Sequence, residues 1–390
     1  MSSPARSSVA LAFGGFLALA AAMGIGRFVY TPVLPFMSEA LNLPAGDAGL
    51  IASANFLGYL AGALAAASRS LSGSPRRWFL GGLLVSALTS AAMAAATSLT
   101  VFLLIRFASG IASAFVLVFA TTLVMERLTA AGKAGLSALH FAGVGCGIAF
   151  SALMVAVVAD LSADWRMLWL ASAAGTLLFL VGAAYLVPSH SLVQVGANGG
   201  TAGTVAASPG AARSRLRLIL AYGLFGFGYV ITATFVNTIA RAAPALQPTE
   251  PFVWLTVGLC AAPSIFLWNT IAVRLGTRRA FALACLLEAA GVALTALTLQ
   301  PVLFLVGAGL LGATFMGITA LGLMEARRQA AAGGPAAVRQ MLAVLTASFG
   351  LGQVAGPWFA GLLHHATGSF AAPSLAAAAA LLVAAALVIR

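Results

Sequence analysis

Two arginines lie inside long apolar stretches of this 390-residue chain, where a charged side chain is costly. Arg27 lies in GIGRFVYTPVLPFM, among glycines, aromatic residues and prolines, and Arg106 lies in LLIRFASG. A guanidinium presents N–H donors in a fixed fork that matches a carboxylate. The two arginines therefore predict a positively charged patch that contacts a carboxylate on a substrate or takes part in coupling. The alternative is that each side chain snorkels to the outer interface or hydrogen-bonds to nearby backbone carbonyls.

One carboxyl group also lies at the centre of an apolar stretch. Glu288 occurs in LACLLEAAGVAL. Burial away from water favours the neutral form of a carboxyl, which suits a proton carrier. The alternative is a neutral, hydrogen-bonded side chain with a structural role. Five further polar residues are candidates for the lining of a mostly apolar pocket: Tyr30, Asn55, Tyr229, Asn237 and Gln353.

The sequence carries no signature of catalysis or of nucleotide hydrolysis. It has no Gly-rich phosphate loop ending in Lys, and Cys146, Cys260 and Cys285 lie in apolar segments without metal-ligand spacing. We therefore expect no enzyme activity, no cofactor and no metal. The same pattern argues against an ATP-driven pump, which leaves an ion gradient or the gradient of the substrate itself as the driving force.

The composition indicates an integral membrane protein. Hydrophobic residues make up 62% of the chain and charged residues 7%, whereas soluble domains carry roughly a quarter charged residues. Twelve apolar stretches are long enough to cross a bilayer, which takes about 20 helical residues. They are too long, and lack the alternation, for a β-barrel. The stretches cover residues 9–37, 47–68, 78–97, 99–125, 135–159, 166–187, 216–242, 252–273, 280–299, 301–324, 338–362 and 370–389.

The charged loops predict the orientation. The net charge of +12 would suggest nucleic acid as a partner in a soluble protein, but here 16 of the 20 basic residues fall in loops on one side. By the positive-inside rule that side is cytoplasmic, so we expect both termini in the cytoplasm. We also expect the protein to lie in the inner membrane. Only Arg166 and Arg241 fall on the other side. The cytoplasmic set is Arg6, Arg69, Arg76, Arg77, Arg127, Lys133, Arg213, Arg215, Arg217, Arg274, Arg278, Arg279, Arg327, Arg328, Arg339 and Arg390.

An internal repeat divides the chain into two halves. GIGRFVYT at Gly24 aligns with GFGYVITA at Gly226, and LVMER at the end of the fourth stretch aligns with LMEAR at the end of the tenth. We therefore predict a six-helix bundle over 1–187, a Gly- and Ser-rich linker over 188–215 and a second six-helix bundle over 216–390. Parallel six-helix repeats are typical of transporters that rock two bundles around a central site.

Over essentially its whole length the chain resembles the major facilitator superfamily, and within it the YbfB/YjiJ branch. The resemblance rests on GIGRFVYTPVLPFM, HFAGVGCGIAFSALM, YGLFGFGYVITATF, FMGITALGLMEAR and FGLGQVAGPWFAGLL. It implies an all-helical fold, a central cavity lined by the first and fourth helices, and a proton-coupled secondary active transporter of a small organic solute. It also implies that Glu288 lies in a peripheral helix.

The same resemblance suggests gating residues at the cytoplasmic ends of the helices. VRLGTRR, which ends in Arg278 and Arg279, resembles the family's loop motif, but Val273 stands at its acidic position. The corresponding loop of the first half, SRSLSGSPRR, ends in Arg76 and Arg77 and also lacks the Asp. The family's gating contact through that Asp is therefore in question. The gating candidates are Arg76, Arg77, Arg274, Arg278, Arg279, Glu126 and Glu325.

Two other functions are compatible with the sequence. An exporter of amphipathic or cationic compounds would need an acid in the cavity, and Glu288 is the only intramembrane candidate. A non-transporting receptor or scaffold of the same fold would differ from a carrier in giving no solute flux. The expected partners are the lipid bilayer, a small-molecule substrate and protons, with no nucleic acid, and the expected oligomeric state is a monomer.

Overall fold

A computed structural model describes residues 7–68, 71–162, 164–188 and 209–389 of the chain. These residues form α-helices with short π and 3-10 segments and contain no strand. Ten helical stretches within them are long and apolar enough to cross a membrane, or eleven when the bent pair Gln247–Ala261 and Ser264–Leu275 counts as one span. This all-helical membrane architecture was predicted from the sequence.

The predicted number of twelve helices follows when the longest of these stretches is divided. Pro301–Thr367 has 67 residues, far more than the roughly 20 that cross a bilayer once. It contains two α-helices, joined by the 3-10 turn Ala331–Gly333, that pack against each other. The twelve helices in the described part of the chain are α1 (Ser8–Leu41), α2 (Ala45–Ala66), α3 (Pro75–Ala95), α4 (Leu99–Ala130), α5 (Ala134–Leu161), α6 (Trp165–Leu186), α7 (Pro209–Ala242), α8 (Gln247–Leu275), α9 (Thr277–Leu297), α10 (Pro301–Ala330), α11 (Gly334–Thr367) and α12 (Ala371–Ile389).

Helix α1 is interrupted near its middle, at the segment that carries Arg27. Ala20–Ile25 forms a π-helical turn, and Pro32 has no N–H to donate to the carbonyl of Phe28 four residues earlier. The N–H of Thr31 donates to the Phe28 carbonyl instead, at 3.2 Å. The carbonyl of Arg27, the ordinary helical partner of Thr31, is therefore free to accept a side-chain donor.

The basic loops of the two halves make equivalent contacts, each within its own half. Arg76 Nη2 donates to the carbonyl of Ala184 in α6 at 2.8 Å, and Arg278 Nε donates to the carbonyl of Val388 in α12 at 2.9 Å. In each half, the first arginine of an Arg-Arg pair thus binds the end of the half's last helix. This matches the predicted correspondence between the two loops.

The predicted linker is only partly described. Residues 189–208 lie outside the described part of the chain, and so do the basic residues Arg6, Arg69 and Arg390. Helix α7 is described from Pro209 onward, so helical structure is present before the predicted start at 216. The assignment of 1–187 and 216–390 as separate domains stays a prediction.

Glycines bring the two halves into direct backbone contact. An added Cβ on Gly49 of α2 would lie 2.2 Å from the Pro357 carbonyl oxygen of α11, and one on Gly145 of α5 would lie 2.3 Å from the Ala262 nitrogen of α8. Small residues permit such close approach between membrane helices. The pairs α2–α11 and α5–α8 therefore form the main seams between the halves.

Candidate functional site

A cavity of about 350 Å³ lies between the two halves. Ser137 at the start of α5 and Arg327 near the end of α10 border it, so it extends to the end of the molecule that carries most basic residues. Its walls are mainly aromatic and aliphatic. Residues on both sides of the interface contribute, including Met23, Arg27, Phe28, Tyr59, Phe141, Tyr229, Asn269, Phe315, Thr319, Phe349 and Gln353.

Arg27 lines this cavity and connects the two halves. Its Nη2 donates to Gln353 Oε1 of α11 at 3.0 Å, and Gln353 Nε2 in turn donates to the Tyr229 hydroxyl of α7 in a short hydrogen bond. The guanidinium carbon lies 3.9 Å from the centre of the Tyr59 ring and 4.8 Å from that of Phe56. Aromatic faces of this kind attract a cation.

The hydrogen-bonding capacity of Arg27 is not fully used by the protein. The side chain is buried, with 4% of its surface exposed. Its Nε has no hydrogen-bond partner among the described residues. A guanidinium in such a place can accept a further anionic partner, and a carboxylate matches its planar arrangement of donors.

Arg106 has a different environment. Its Nη1 donates to the carbonyl of Gly26 at 3.1 Å and its Nη2 to the carbonyl of Arg27 at 3.0 Å. These carbonyls belong to the interrupted part of α1, and the Gly26 carbonyl also accepts from Ser109 Oγ at 3.2 Å. Arg106 does not line the 350 Å³ cavity. The Arg106 guanidinium thus satisfies backbone carbonyls in the interrupted part of α1. This is the contact that the alternative of hydrogen bonding to nearby carbonyls described.

Three other predicted pocket residues also lie away from the cavity lining. Asn55 Nδ2 donates to the carbonyl of Arg106 at 3.0 Å, and the Tyr30 hydroxyl donates to the carbonyl of Ala48 at 2.9 Å. Asn237 Nδ2 donates to Glu250 Oε1 at 2.8 Å. Of the seven polar candidates, the structure thus brings Arg27, Tyr229 and Gln353 together in one lining. A binding role stays a prediction for all seven.

Contacts between the halves seal the end opposite the cavity mouth. Arg241 of α7 forms a bidentate ion pair with Glu39 of α1, at 2.5 and 2.9 Å. Deeper in the same seam, Thr31 Oγ1 donates to the carbonyl of Ala233 at 2.6 Å. Sequence reasoning missed the Glu39 pair, although opposite charges at the ends of the equivalent helices α1 and α7 were a usable signal.

The predicted gating residues lie at the end of the molecule where the cavity opens. Where the structure gives a contact for one of them, the partner lies in the same half. Arg76 and Arg278 bind the ends of α6 and α12, and Glu325 Oε2 accepts from Thr277 Oγ1 at 2.5 Å and from Arg328 Nε at 2.8 Å. Their role as gates stays a prediction. The other candidates, Arg77, Arg274, Arg279 and Glu126, lie at the same end of the molecule.

Glu288 is fully buried in α9 and does not line the cavity. Within the described ranges, neither oxygen of its carboxyl has a hydrogen-bond partner of normal geometry. Such a carboxyl is expected to be neutral, since an unpaired buried charge is very costly. This environment fits a proton site and a structural residue equally, so both interpretations remain open.

Twelve apolar helices in two sets of six, with a mainly apolar cavity between them that a few polar side chains line, are the architecture of a multi-pass membrane transporter. The chain belongs to the major facilitator superfamily, in the family described as "Uncharacterised MFS-type transporter YbfB", whose model matches residues 19–389. The predicted resemblance is thereby confirmed. A transporter family also implies the lipid bilayer and a small-molecule substrate as partners.

Solved structures of two transporters share the fold. The nucleoside transporter NupG has 16% sequence identity and a TM-score of 0.73, over 98% of this chain and 98% of that chain. A bacterial homologue of the human lysosomal transporter Spinster, in an inward-facing and occupied conformation, has 15% identity and a TM-score of 0.68, over 100% of this chain and 95% of that one. At these identities the likeness concerns the fold alone. No curated protein matched the sequence.

Proposed function

We propose that this protein is a secondary active transporter that moves a small organic anion, a carboxylate with an apolar body, by alternating access. The observation that carries the proposal is the position of Arg27, whose guanidinium lies in the cavity lining between the halves and bonds to Gln353 of the other half. A ligand that engages Arg27 would contact both halves at once. Its binding would therefore bias their relative position, as alternating access requires.

The charges of the lining favour an anion. Among the residues that line the cavity, Arg27 and Arg327 are basic, and none is Asp or Glu. An exporter of cations would need an acid there, and Glu288 lies outside the lining. The aromatic rings of Phe28, Phe315 and Phe349 would accommodate the apolar part of the substrate.

The direction of opening supports an inward-facing conformation. The cavity extends to the ends of α5 and α10, on the side that the positive-inside rule assigns to the cytoplasm. The opposite side is closed by Glu39 and Arg241. The basic loops likewise lead us to propose an inner-membrane location with both termini in the cytoplasm. The proposal of proton coupling rests on the resemblance to the superfamily.

Transport by the purified protein tests the proposal. Proteoliposomes would be assayed for exchange of carboxylates, nucleosides and organic cations, and binding would be followed by thermal shift in detergent. We expect a carboxylate to be exchanged and to stabilise the protein. Arg27→Lys keeps the charge but loses the planar fork, and Arg27→Ala loses both. Because a charge-assisted hydrogen bond contributes roughly 1.5–3 kcal/mol, affinity should fall about tenfold or more.

The matched control is Arg166→Lys, which changes an exposed arginine on the outer side and should leave binding unchanged. Normal carboxylate binding by a folded Arg27→Ala variant would overturn the assigned role of Arg27. Exchange of cations without exchange of anions would favour the exporter. Binding without flux of any solute class would favour a receptor or scaffold.

A further inference from the structure

A second cavity, of about 620 Å³, lies between α3 and α4 and opens on the surface of the first half that faces away from the central cavity. Its walls include Val85, Ile111 and Phe115. An added Cβ on Gly81 would meet nothing within 4 Å, so this glycine leaves the groove open. Val85 is 41% exposed, and an apolar side chain at that position in a membrane helix faces lipid. The groove is therefore accessible from the bilayer.

One end of this groove is polar and basic. Ser72, Arg77 and Trp78 line it there. The indole Nε1 of Trp78 donates to the Ser72 carbonyl at 3.1 Å, and its ring packs edge-on against Phe115 with centroids 5.4 Å apart. Trp78 thus joins the polar end to the apolar wall, as tryptophans do at the level of lipid headgroups.

Arg77 is available for an external ligand. It is exposed, and it forms no ion pair with any residue that the structure describes. Its neighbour Arg76 is directed to the Ala184 carbonyl instead. On the cytoplasmic side, a positively charged guanidinium meets a leaflet that contains anionic lipids.

The repeat provides an internal comparison. Arg278 binds the Val388 carbonyl as Arg76 binds that of Ala184, so Arg279 occupies the position in the second half that Arg77 occupies in the first. Arg279 is also exposed, but it borders neither this groove nor the central cavity, nor any of three other cavities in the described residues. Of the two equivalent arginines, Arg77 is therefore the one that lies at the end of an apolar groove among these cavities.

From this geometry we infer that the groove binds one anionic phospholipid, with its phosphate on Arg77 and an acyl chain over Gly81. The guanidinium supplies paired donors for the phosphate oxygens. The groove supplies an apolar surface that the helices leave unfilled, so the lipid also stabilises the packing of α3 on α4. This site is separate from the central cavity and does not depend on the transported substrate.

Native mass spectrometry of the full-length protein in detergent tests the inference. The protein would be titrated with phosphatidylglycerol or with phosphatidylethanolamine of identical acyl chains, and retained lipid would be counted. We expect a preference for phosphatidylglycerol. Arg77→Gln should weaken phosphatidylglycerol retention about fivefold, which corresponds to the loss of one interfacial arginine. Gly81→Leu should fill the groove and weaken retention of both lipids.

Arg279→Gln is the charge-matched control and should retain phosphatidylglycerol as the wild type does. Equal losses in Arg77→Gln and Arg279→Gln would show a general charge effect and overturn the site. So would unchanged retention in Arg77→Gln or in Gly81→Leu. Competition by soluble glycerol phosphate at the same concentration as the lipid would identify a phosphate-ester site in place of a lipid site.

Discussion

Arg27 and Arg106 are both buried among apolar helices, yet they bind different kinds of partner. The guanidinium of Arg106 donates to two backbone carbonyls of α1, whereas that of Arg27 donates to the side chain of Gln353. Backbone carbonyls in a membrane interior must be satisfied within the protein. Arg106 therefore satisfies the backbone from which Arg27 projects, whereas the Nε of Arg27 has no hydrogen-bond partner among the described residues.

We expect Arg106→Ala to destabilise the protein much more than Arg27→Ala does. The substitution leaves the Arg27 carbonyl without its donor and removes one of the two donors to the Gly26 carbonyl. A buried group left unpaired costs about 1–3 kcal/mol, whereas Gln353, the partner of Arg27, keeps its hydrogen bond to the Tyr229 hydroxyl. The midpoint of thermal unfolding in detergent, without substrate, measures the difference. Equal midpoints for the two variants would contradict a structural role specific to Arg106.

Glu288→Gln should leave both exchange and gradient-driven uptake intact. The Glu288 side chain is fully buried and lies outside the cavity lining, and Gln has nearly the same shape as the neutral acid. Uptake and exchange in proteoliposomes with and without a pH gradient measure the two activities. Loss of gradient-driven uptake with normal exchange would instead make Glu288 the proton carrier, because exchange needs no net proton movement.

At the scale of elements, the seam between α5 and α8 depends on glycines. An added Cβ on Gly145 would lie 2.3 Å from the Ala262 nitrogen, and one on Gly258 would lie 2.3 Å from the Ala149 nitrogen. No side chain fits at such distances unless the helices separate. These contacts join opposite halves, so any motion that opens the sealed side must pull the two backbones apart.

We expect Gly145→Ala to shift the protein away from the present conformation. Overpacking costs typically 1–3 kcal/mol. The population in which the sealed side is open should therefore rise by about fivefold or more relative to the present conformation. Thr234 follows Ala233 in the closed seam and is buried. Labelling of Thr234→Cys by an impermeant maleimide, in a background without the native cysteines, therefore reports that opening. Gly135→Ala, in the same helix, is the control, because its Cβ would meet nothing within 4 Å. Equal labelling of the Gly145→Ala variant and the control would refute the prediction.

For the whole molecule, the arrangement of one open and one closed end corresponds to one state of the proposed transport cycle. The 350 Å³ cavity reaches the basic end, and the Glu39–Arg241 pair and the Thr31–Ala233 hydrogen bond close the other. Arg241 also lies 3.9 Å from Glu250 and 4.1 Å from the centre of the Phe36 ring. The closed end is therefore stabilised by several weak contacts that rocking of the halves would break together.

Glu39→Gln should raise the labelling of Thr234→Cys from outside the membrane. The side chains of Glu39 and Arg241 are 60% and 29% exposed, so the pair contributes about 0.2–1 kcal/mol and labelling should rise up to about fivefold. High salt should raise labelling of the wild type towards that of the variant by screening the pair. Labelling that occurs only from the cytoplasmic side would reverse the proposed orientation.

Much of the architecture follows from the sequence because it depends on properties that are local along the chain. A bilayer requires about 20 apolar residues for each crossing, and the basic loops and the six-helix repeat are visible as composition and order. The class of protein, the number of helices and the correspondence between Arg76 and Arg278 could therefore be predicted. The interruption of α1 also has a local cause, because Pro32 lacks the N–H that a continuous helix would use.

Which side chains meet in the cavity was decided only by the tertiary structure. In a soluble helix the polar face reveals which side is exposed, but here lipid, neighbouring helices and cavity wall are all largely apolar, so the rotation of each helix leaves little trace in the sequence. The sequence alone could not give the partners of Arg27 and Arg106 for this reason. The rotation of their helices places the Arg27 side chain in the cavity lining and directs the Arg106 side chain to backbone carbonyls of α1. The partners are also distant along the chain, 326 residues for Arg27 and Gln353 and 202 for Arg241 and Glu39. Only the packing of one half against the other brings such residues within hydrogen-bonding distance.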